Sequence, residues 1–249
     1  MKSIRKEFEV ATVPREVGDG IAVSPTGWTF GGSMVEHFES HIRSSVPLYD
    51  VGHDLICEVS DFFVQEESVC YELGTSVGTL LRKLAQRHSA KPRVRWVGID
   101  TVPEMVEKAR SLPSPANVSF VLDDINTTPL EASDLIVCYY VVQFVPPHRR
   151  QQLIDRIYES LRWGGAFICF EKVRACDARF QDYMTQVYHE WKMHQGYSAA
   201  EIMNKASSLK SKLEPFSTQG NIDLFRRAGF VDIMTIQKWV SFEGFLCVK

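Results

Sequence analysis

The sequence predicts an α/β fold in which a mostly parallel sheet carries helices on both faces. Three observations lead to this prediction. From Ser68 onward, short apolar runs typical of buried strands alternate with segments of helical period. A glycine-rich turn follows the first of these runs, and acidic residues end the next two. The last two strand-like segments of the chain are separated by few residues. This favours an antiparallel hairpin at one edge of a seven-stranded sheet.

Before the sheet, residues 1–65 form an N-terminal arm and helices. Residues 1 to about 25 carry prolines and glycines with little periodicity, and we interpret them as an arm that is at most partly ordered. One helix is predicted from about Ser33 to Ile42 and ends before Pro47. "YDVGHDLICEVSDFFV" predicts a second helix, with its apolar residues on one face.

Residues 66–249 form the predicted α/β domain. The predicted strands are "SVCYEL", "RVRWVGID", "VSFVLDDI", "SDLIVCYYVVQF", "GGAFICFEKV" and the two runs of the C-terminal hairpin. The predicted helices are "VGTLLRKLAQRH", "PEMVEKARSL", "HRRQQLIDRIYESLRW" and the segment before Gly229. Strands separated by helices of this length favour a parallel sheet with right-handed crossovers. Residues 174–220 read as helical, and we expect them to form a lid on the carboxyl side of the sheet.

Composition narrows the function classes. A formal net charge of −3 over 249 residues provides no basic field, so no nucleic acid partner is expected. No segment predicts a membrane span, and none of the six cysteines forms a CxxC pair. We therefore expect a cytoplasmic protein with reduced, buried thiols and no membrane or metal partner.

The turn "YELGTSVG" is the first candidate ligand site. Gly74 tolerates positive φ and lets a ligand approach the backbone, and the helix that follows offers unpaired N–H groups. Ser76 stands where the dinucleotide pattern G-x-G-x-x-G has its second glycine. On its own, this turn is equally consistent with a cofactor loop and with a plain strand-to-helix connection.

Acidic residues at the next two strand ends extend the pattern. Asp100 is placed to accept two ribose hydroxyls, although an Asp here also suits the start of the helix at Pro103. Asp124 is placed to accept from an adenine amine with Ile125 against the ring, although it also suits a turn. Together with Gly74, these positions describe one nucleoside lying across three strand ends.

With these motifs the chain resembles class I S-adenosylmethionine (SAM)-dependent methyltransferases, a Rossmann-like fold. More specifically, it is similar to the carboxy-SAM synthase family, which supplies the cofactor for a tRNA wobble-uridine modification. The similarity runs from Gly27 to Lys249, through "GWTF", "SVPLY", "YELGTSVG", "QF", "GGAFICFEK", "HQGYSAAEI" and "LFRRAGF" in matching order. The resemblance implies SAM as cofactor and a homodimer.

The resemblance also implies a set of cofactor-binding residues. They are Tyr49, Glu72, Gly74, Thr75, Ser76, Asp100, Thr101, Asp124, Ile125 and Tyr139. Two positions depart from the family pattern. Tyr139 occupies the place of an Asn on the fourth strand, and Ala206 occupies the place of the lid Arg that binds the carboxylate of carboxy-SAM. An Arg grips a carboxylate with two charge-assisted hydrogen bonds, and an alanine cannot do so. Lys205 or Lys210 are possible point charges in its stead.

On the substrate side, Tyr139, His189 and His194 are candidate catalytic residues, since a histidine near neutral pKa is a suitable base. The two histidines are five apart, which is not the spacing of a shared metal face, and no metal is expected. Candidate substrate-lining aromatics are Trp28, Phe30, Trp191 and Tyr197. The lid aromatics are equally consistent with a packed lid core, and Tyr139 with packing between strand and helix.

Three hypotheses follow. The first is a SAM-dependent methyltransferase that acts on a small molecule of specialised metabolism, because the lid Arg is lost. The second is a carboxy-SAM synthase that uses prephenate, with another residue in the place of the Arg. The third is a non-catalytic protein that binds SAM.

Overall fold

The computed structural model describes residues 14–32 and 34–249. Its elements, in chain order, are β1 (Arg15–Glu16), β2 (Ala22–Val23), α1 (Met34–Arg43), α2 (Tyr49–Ser60), β3 (Val69–Leu73), α3 (Thr79–Arg87), β4 (Arg95–Asp100), α4 (Pro103–Ser111), β5 (Val118–Leu122), β6 (Ser133–Tyr139), a 3₁₀ turn (Val142–Phe144), α5 (Pro147–Ser160), β7 (Leu161–Lys172), α6 (Ala178–His194), α7 (Ala199–Ser208), α8 (Thr218–Ala228), β8 (Asp232–Trp239) and β9 (Phe242–Val248).

The main sheet confirms the predicted fold class. Its seven strands lie in the order β5-β4-β3-β6-β7-β9-β8. The pairs from β5 to β7 are parallel, and the pairs that β9 makes with β7 and β8 are antiparallel. The chain reverses its direction of travel across the sheet between β3 and β6. In such sheets ligands bind at the carboxyl ends of the strands beside this switch point.

Both faces of the sheet are covered, which explains the continuous apolar runs. All five residues of β3 are buried. One core packs α2, α3 and α4 against one face, around Trp96 and Phe170. The other packs α5 and α8 against the opposite face, around Phe167 and Phe225. A strand buried on both faces reads as an unbroken apolar segment, not as an alternating one.

Capping residues set the ends of the lid helices. The Asp177 side chain accepts the Phe180 N–H at the start of α6, 3.0 Å away. Ser198 and Glu201 form a reciprocal capping box at the start of α7. These caps satisfy backbone donors that a helix start leaves unpaired. Both helices lie in the segment predicted as a lid.

Part of the arm is described by the structure. Residues 1–13 and Ser33 lie outside the described residues, so the predicted start of the first helix at Ser33 is not tested. Within residues 14–25, β1 and β2 pair as a short hairpin, and Val17 is fully buried. Hydrogen bonds join the arm to α7: the Thr26 N–H donates to the Ser207 carbonyl at 3.2 Å, and the Trp28 N–H donates to the Ser208 carbonyl at 3.3 Å. The segment that follows the arm is therefore held against the lid, while the prediction of a partly ordered arm stays a prediction.

Candidate active site

A cavity of about 790 Å³ opens at the carboxyl ends of the strands beside the switch point. Thirteen of the predicted site residues line it: Trp28, Phe30, Tyr49, Glu72, Gly74, Thr75, Ser76, Asp100, Thr101, Asp124, Ile125, Tyr139 and His189. Helices α1, α2, α6 and α7 complete its walls, together with Trp28 and Phe30 between the arm and α1. The topology therefore brings the strand ends and the lid to one place.

The turn after β3 is held by buried acceptors. Glu72 accepts a hydrogen bond from the Thr75 hydroxyl at 2.7 Å and from the Leu81 N–H at 3.1 Å. Burial raises the pKa of Glu72 to about 8. Gly74 has φ of +75°, and a Cβ there would lie 2.4 Å from Cγ2 of Val141, the residue two beyond the end of β6. A side chain at position 74 would thus both strain the backbone and collide with the neighbouring strand end.

Asp100 joins the turn to the next strand end. Its carboxylate accepts the Ser76 N–H at 2.8 Å and the Val102 N–H at 3.0 Å. Burial is the main cause that raises its pKa, and the backbone donors oppose the shift. The bond to Val102 lies just before α4, so the local structural role considered from sequence is present. A carboxylate has four lone-pair sites, so two acceptor sites remain for ribose hydroxyls.

Asp124 also has a local role. Its Oδ1 accepts from the Asn126 backbone N–H at 2.9 Å and from the Asn126 side-chain amide at 2.7 Å. Ile125 is buried and lines the cavity beside it. The turn interpretation is therefore seen directly, while the adenine role remains a prediction.

Tyr139 lies in an aromatic cluster at the cavity wall. Its hydroxyl donates to the Tyr49 carbonyl at 2.6 Å, and its ring packs on Tyr49, His53 and Phe170 at centroid distances of 5.0, 4.7 and 4.9 Å. Burial raises the pKa of Tyr139 well above its usual range. A hydroxyl with its proton already donated and a raised pKa is poorly suited to act as a base. The packing alternative considered from sequence accounts for this residue.

The lid residues divide into two groups. His189 is partly buried and lines the cavity, and burial is the main cause that lowers its pKa. His194 is exposed and lies outside the cavity wall. Trp191 also lies outside the wall, stacked on Tyr188 at 6.1 Å and close to Trp239 at 5.8 Å. Tyr197 lies behind the wall, with its hydroxyl 3.2 Å from the Ser45 hydroxyl. The structure therefore leaves three predicted residues, His194, Trp191 and Tyr197, outside the lining of the cavity.

Three lysines of the cavity wall were not predicted as a group. Lys192 is 2% exposed, Lys205 is 7% exposed, and Lys172 is partly buried. Within residues 14–32 and 34–249, none of the three forms an ion pair with a carboxylate. Burial lowers the pKa of Lys172 and of Lys192 to about 8, and it lowers the pKa of Lys205 well below its usual range. The sequence had indicated Lys205 and Lys210 as point charges in place of the family's Arg, and both line the cavity. Lys172 carried a weaker signal, because it ends the apolar strand "GGAFICFEK".

Further polar groups of the wall have no partner in the described part of the chain. They are the Trp28 indole N–H, both ring nitrogens of His53, the Tyr140 hydroxyl and Oδ1 of Asn126. Buried polar atoms are normally hydrogen-bonded, so these atoms point to ligand partners. Aromatic walls, unpartnered polar atoms and the Gly74 turn together fit an amino-acid nucleoside such as SAM.

Comparisons with known proteins agree with this geometry. A family model described as a methyltransferase domain matches residues 71–165. Human N-acetylserotonin methyltransferase, solved in complex with SAM, superposes with a TM-score of 0.60 at 18% identity, over 87% of this chain and 56% of that one. A Haloferax volcanii putative methyltransferase complex with its Trm112 activator gives 0.57 at 18% identity, over 88% and 98%. Fold and site thus define a class I SAM-dependent methyltransferase-type enzyme.

Proteins related in sequence show which family within this class of enzymes the chain belongs to. Carboxy-S-adenosyl-L-methionine synthase of Staphylococcus epidermidis is 30% identical over 227 residues, which cover 91% of this chain and 99% of that protein. The synthase of Campylobacter lari is 31% identical over 222 residues, which cover 88% and 94%. The chain belongs to the carboxy-S-adenosyl-L-methionine synthase family. No helix within the described residues is both long and apolar enough to cross a bilayer.

Proposed function

We propose that this chain is a carboxy-SAM synthase that holds the carboxylates of its ligands with lysine instead of arginine. The observation that carries the proposal is the set of three lysines, Lys172, Lys192 and Lys205, on one cavity wall without a carboxylate partner. The proposed carboxyl source is prephenate, as the family resemblance implies. The small-molecule substrate and the homodimer expected from sequence belong to this proposal.

Charge is the first supporting argument. An isolated ammonium removed from water costs several kcal/mol unless an anion or hydrogen bonds compensate it. All three lysines contact aromatic rings instead: Nζ lies 4.4 Å from the Tyr188 ring centroid for Lys172, 3.9 Å from that of Tyr197 for Lys192, and 5.1 Å from that of Trp28 for Lys205. Such contacts are worth about 0.5–2 kcal/mol each and offset the cost only in part. A ligand with more than one carboxylate supplies the missing charge.

Position is the second argument. Ala206, which matches the family's Arg, is exposed at the cavity rim, whereas its neighbour Lys205 is buried in the wall. A lysine is therefore present in the wall next to the altered position, and a bound carboxylate would favour its charged form. Lysine makes a point contact in place of the bidentate grip of arginine, so we expect weaker retention of carboxy-SAM than an arginine would give.

The residues of the chain then have defined tasks. SAM supplies a sulfonium whose methyl group is the reacting carbon. Asp100 binds and orients the nucleoside end, and the Gly74 turn lines the methionine side, where Tyr49 and Tyr139 pack the wall. The lysines hold the carboxylates, and α6 and α7 exclude water from the reacting groups. Orientation of two bound reactants is a large part of the rate enhancement that such a site provides.

The direct test is mass spectrometry of the small molecule released from purified, denatured protein, before and after incubation with SAM and prephenate. We expect a cofactor heavier by one CO₂, because a carboxyl group replaces one hydrogen of the sulfonium methyl group. Lys205→Met should abolish this product, whereas Lys212→Met, at an exposed position beyond α7, should leave it unchanged. Release of SAM alone under all these conditions would refute the proposal.

Methyl transfer to a carboxylate-bearing small molecule is the second candidate function. The observation that favours it is Ala206, because the residue that distinguishes carboxy-SAM from SAM is absent. In this case the lysines would bind the methyl acceptor. Formation of S-adenosylhomocysteine with a carboxylic acid acceptor, without any carboxy-SAM, would favour this candidate over the synthase.

A further inference from the structure

We propose that Asp19 of the arm and His41 of α1 are positioning residues that hold Lys205 as a directed donor for an anionic oxygen of the substrate. The inference rests on the proposed function, because it concerns the lysine proposed to hold a substrate carboxylate. It assigns the arm a direct part in the site.

The three side chains form a continuous chain of contacts. Asp19 Oδ2 lies 2.5 Å from His41 Nδ1. His41 Nε2 in turn contacts Lys205 Nζ. The Ser45 hydroxyl is a second acceptor for Lys205, 2.6 Å from Nζ. His41 is 1% exposed, so its contact with Lys205 is shielded from water, whereas the Asp19 side chain is 29% exposed.

Hydrogen-bonding capacity determines where the protons lie. An ionised carboxylate only accepts, so Nδ1 of His41 carries a proton and donates it to Asp19. An ammonium only donates, so Nε2 of His41 is the bare nitrogen that accepts from Lys205. Burial first, and then the charge of Lys205, lower the pKa of His41 to about 4, which keeps the ring neutral. Asp19 therefore selects the tautomer that lets His41 accept from the lysine.

The remaining donor of Lys205 defines the subsite. An ammonium has three N–H groups, and His41 and Ser45 accept two of them. No third acceptor for this lysine is present in the described ranges, and Lys205 lines the cavity. With two donors tied, the third has a restricted direction, which replaces part of the geometric selectivity of an arginine.

The charge of Asp19 affects the pKa of Lys205. The charged or titratable groups around Lys205 are His41 and Asp19 from the arm side, Lys192 and Tyr197 from the lid, and Lys172 from β7. Burial is the largest cause of the lowered pKa of Lys205, followed by Lys192, and Lys172 acts in the same sense. Asp19 opposes them. Loss of the Asp19 charge should therefore lower the pKa of Lys205 further. Lys205 would then lose its proton, and the subsite its positive charge, at a lower pH.

The test compares Asp19→Asn with Asn204→Ala. Asn204 donates to the Glu16 carbonyl at 3.0 Å, so its loss loosens the arm on α7 without touching the three-residue chain. The titration is followed by NMR in protein with ¹³C-labelled lysine. The resonance that is missing from the spectrum of Lys205→Met belongs to Lys205, and its shift with pH reports the titration of that residue. We expect its midpoint to fall by about one pH unit in Asp19→Asn, since an opposite charge is removed, and to stay in place in Asn204→Ala.

Kinetics supply the second readout. Asp19→Asn should raise the KM for prephenate about tenfold with kcat within about twofold, and move the alkaline limb of kcat/KM to lower pH. Asp19→Glu, which keeps the charge, should retain most of the wild-type profile. An unmoved Lys205 titration in Asp19→Asn, or an equal shift in Asn204→Ala, would overturn the inference. Because the titration needs no substrate, a shifted midpoint in a protein that makes no carboxy-SAM would reject the proposed function alone.

Discussion

Replacement of Gly52 by alanine should reveal how the chain accommodates Tyr139 in the place of the family's asparagine. A Cβ at position 52 would lie 2.3 Å from the Tyr139 hydroxyl and 3.2 Å from Cε1 of Phe170. Gly52 lies in α2, three residues after Tyr49, whose carbonyl accepts the Tyr139 hydroxyl at 2.6 Å. The added methyl group therefore pushes Tyr139 away from this acceptor and disturbs the wall at Tyr49.

The expected destabilisation follows from three contributions. Overpacking of a filled core costs about 1–3 kcal/mol. A buried group left without its hydrogen bond costs about 1–3 kcal/mol. Alanine gains about 1 kcal/mol over glycine inside a helix. The net loss in the free energy of unfolding is about 3 kcal/mol. For a chain of this size, each kcal/mol lost lowers the melting temperature by about 2–4 °C. The melting temperature should therefore fall by about 6–12 °C.

Thermal unfolding of four proteins tests the argument: wild type, Gly52→Ala, Tyr139→Phe and the double variant. In the Tyr139→Phe background the clashing hydroxyl is absent, so Gly52→Ala should be neutral or stabilising by about 1 kcal/mol. SAM affinity, measured by calorimetry, should fall in Gly52→Ala and recover in the double variant. Equal losses in the two backgrounds would refute the proposed contact between Gly52 and the Tyr139 hydroxyl.

Three further predictions concern the cofactor and the lysines. Asp100→Asn should weaken SAM binding about 10–100-fold in calorimetry, since one oxygen that accepts hydrogen bonds becomes a donor; unchanged affinity would contradict the ribose role. Prephenate binding should decline as pH rises through about 8, where Lys172 and Lys192 lose their protons, and a flat pH profile would contradict this. The folded pKa of these two lysines lies below the ordinary 10.5, so the unfolded chain binds more protons between about 8 and 10.5. Their contribution should therefore make ligand-free protein more stable, in denaturant titrations, as pH rises across that window.

The cofactor edge of the site was the part most accessible to sequence reasoning. Strand ends are local features: an apolar run terminates at Glu72, Asp100 or Asp124, and parallel pairing then brings these ends to one edge. The replacement of the family's lid Arg by Ala206 could also be seen in the sequence, because it follows from matching a motif and does not require the fold. The local pattern did not predict the hydrogen-bond partners of these side chains. For example, Asp100 accepts hydrogen bonds from the Ser76 and Val102 N–H groups.

The substrate side was less accessible because its residues come from distant parts of the chain. His189 and His194 are equally plausible bases in the lid sequence, yet the rotation of α6 turns one to the cavity and the other to solvent. Tyr139 looked like a reactive group until the packing of α2 engaged its hydroxyl. Helical period alone does not specify which face of a lid helix meets the cavity, because that depends on how the helix docks.

The sequence by itself therefore determined the sheet, the position of the ligand edge, the nucleoside pattern and the loss of the family's arginine. These features are encoded by residues near one another along the chain. Only the tertiary structure decided that Lys172, Lys192 and Lys205 share one wall and that Asp19 reaches His41. Their chemistry depends on contacts between segments up to 164 residues apart, as for His41 and Lys205. Burial, the cause that lowers the pKa of each of these lysines, exists only after the arm and lid have packed over the sheet.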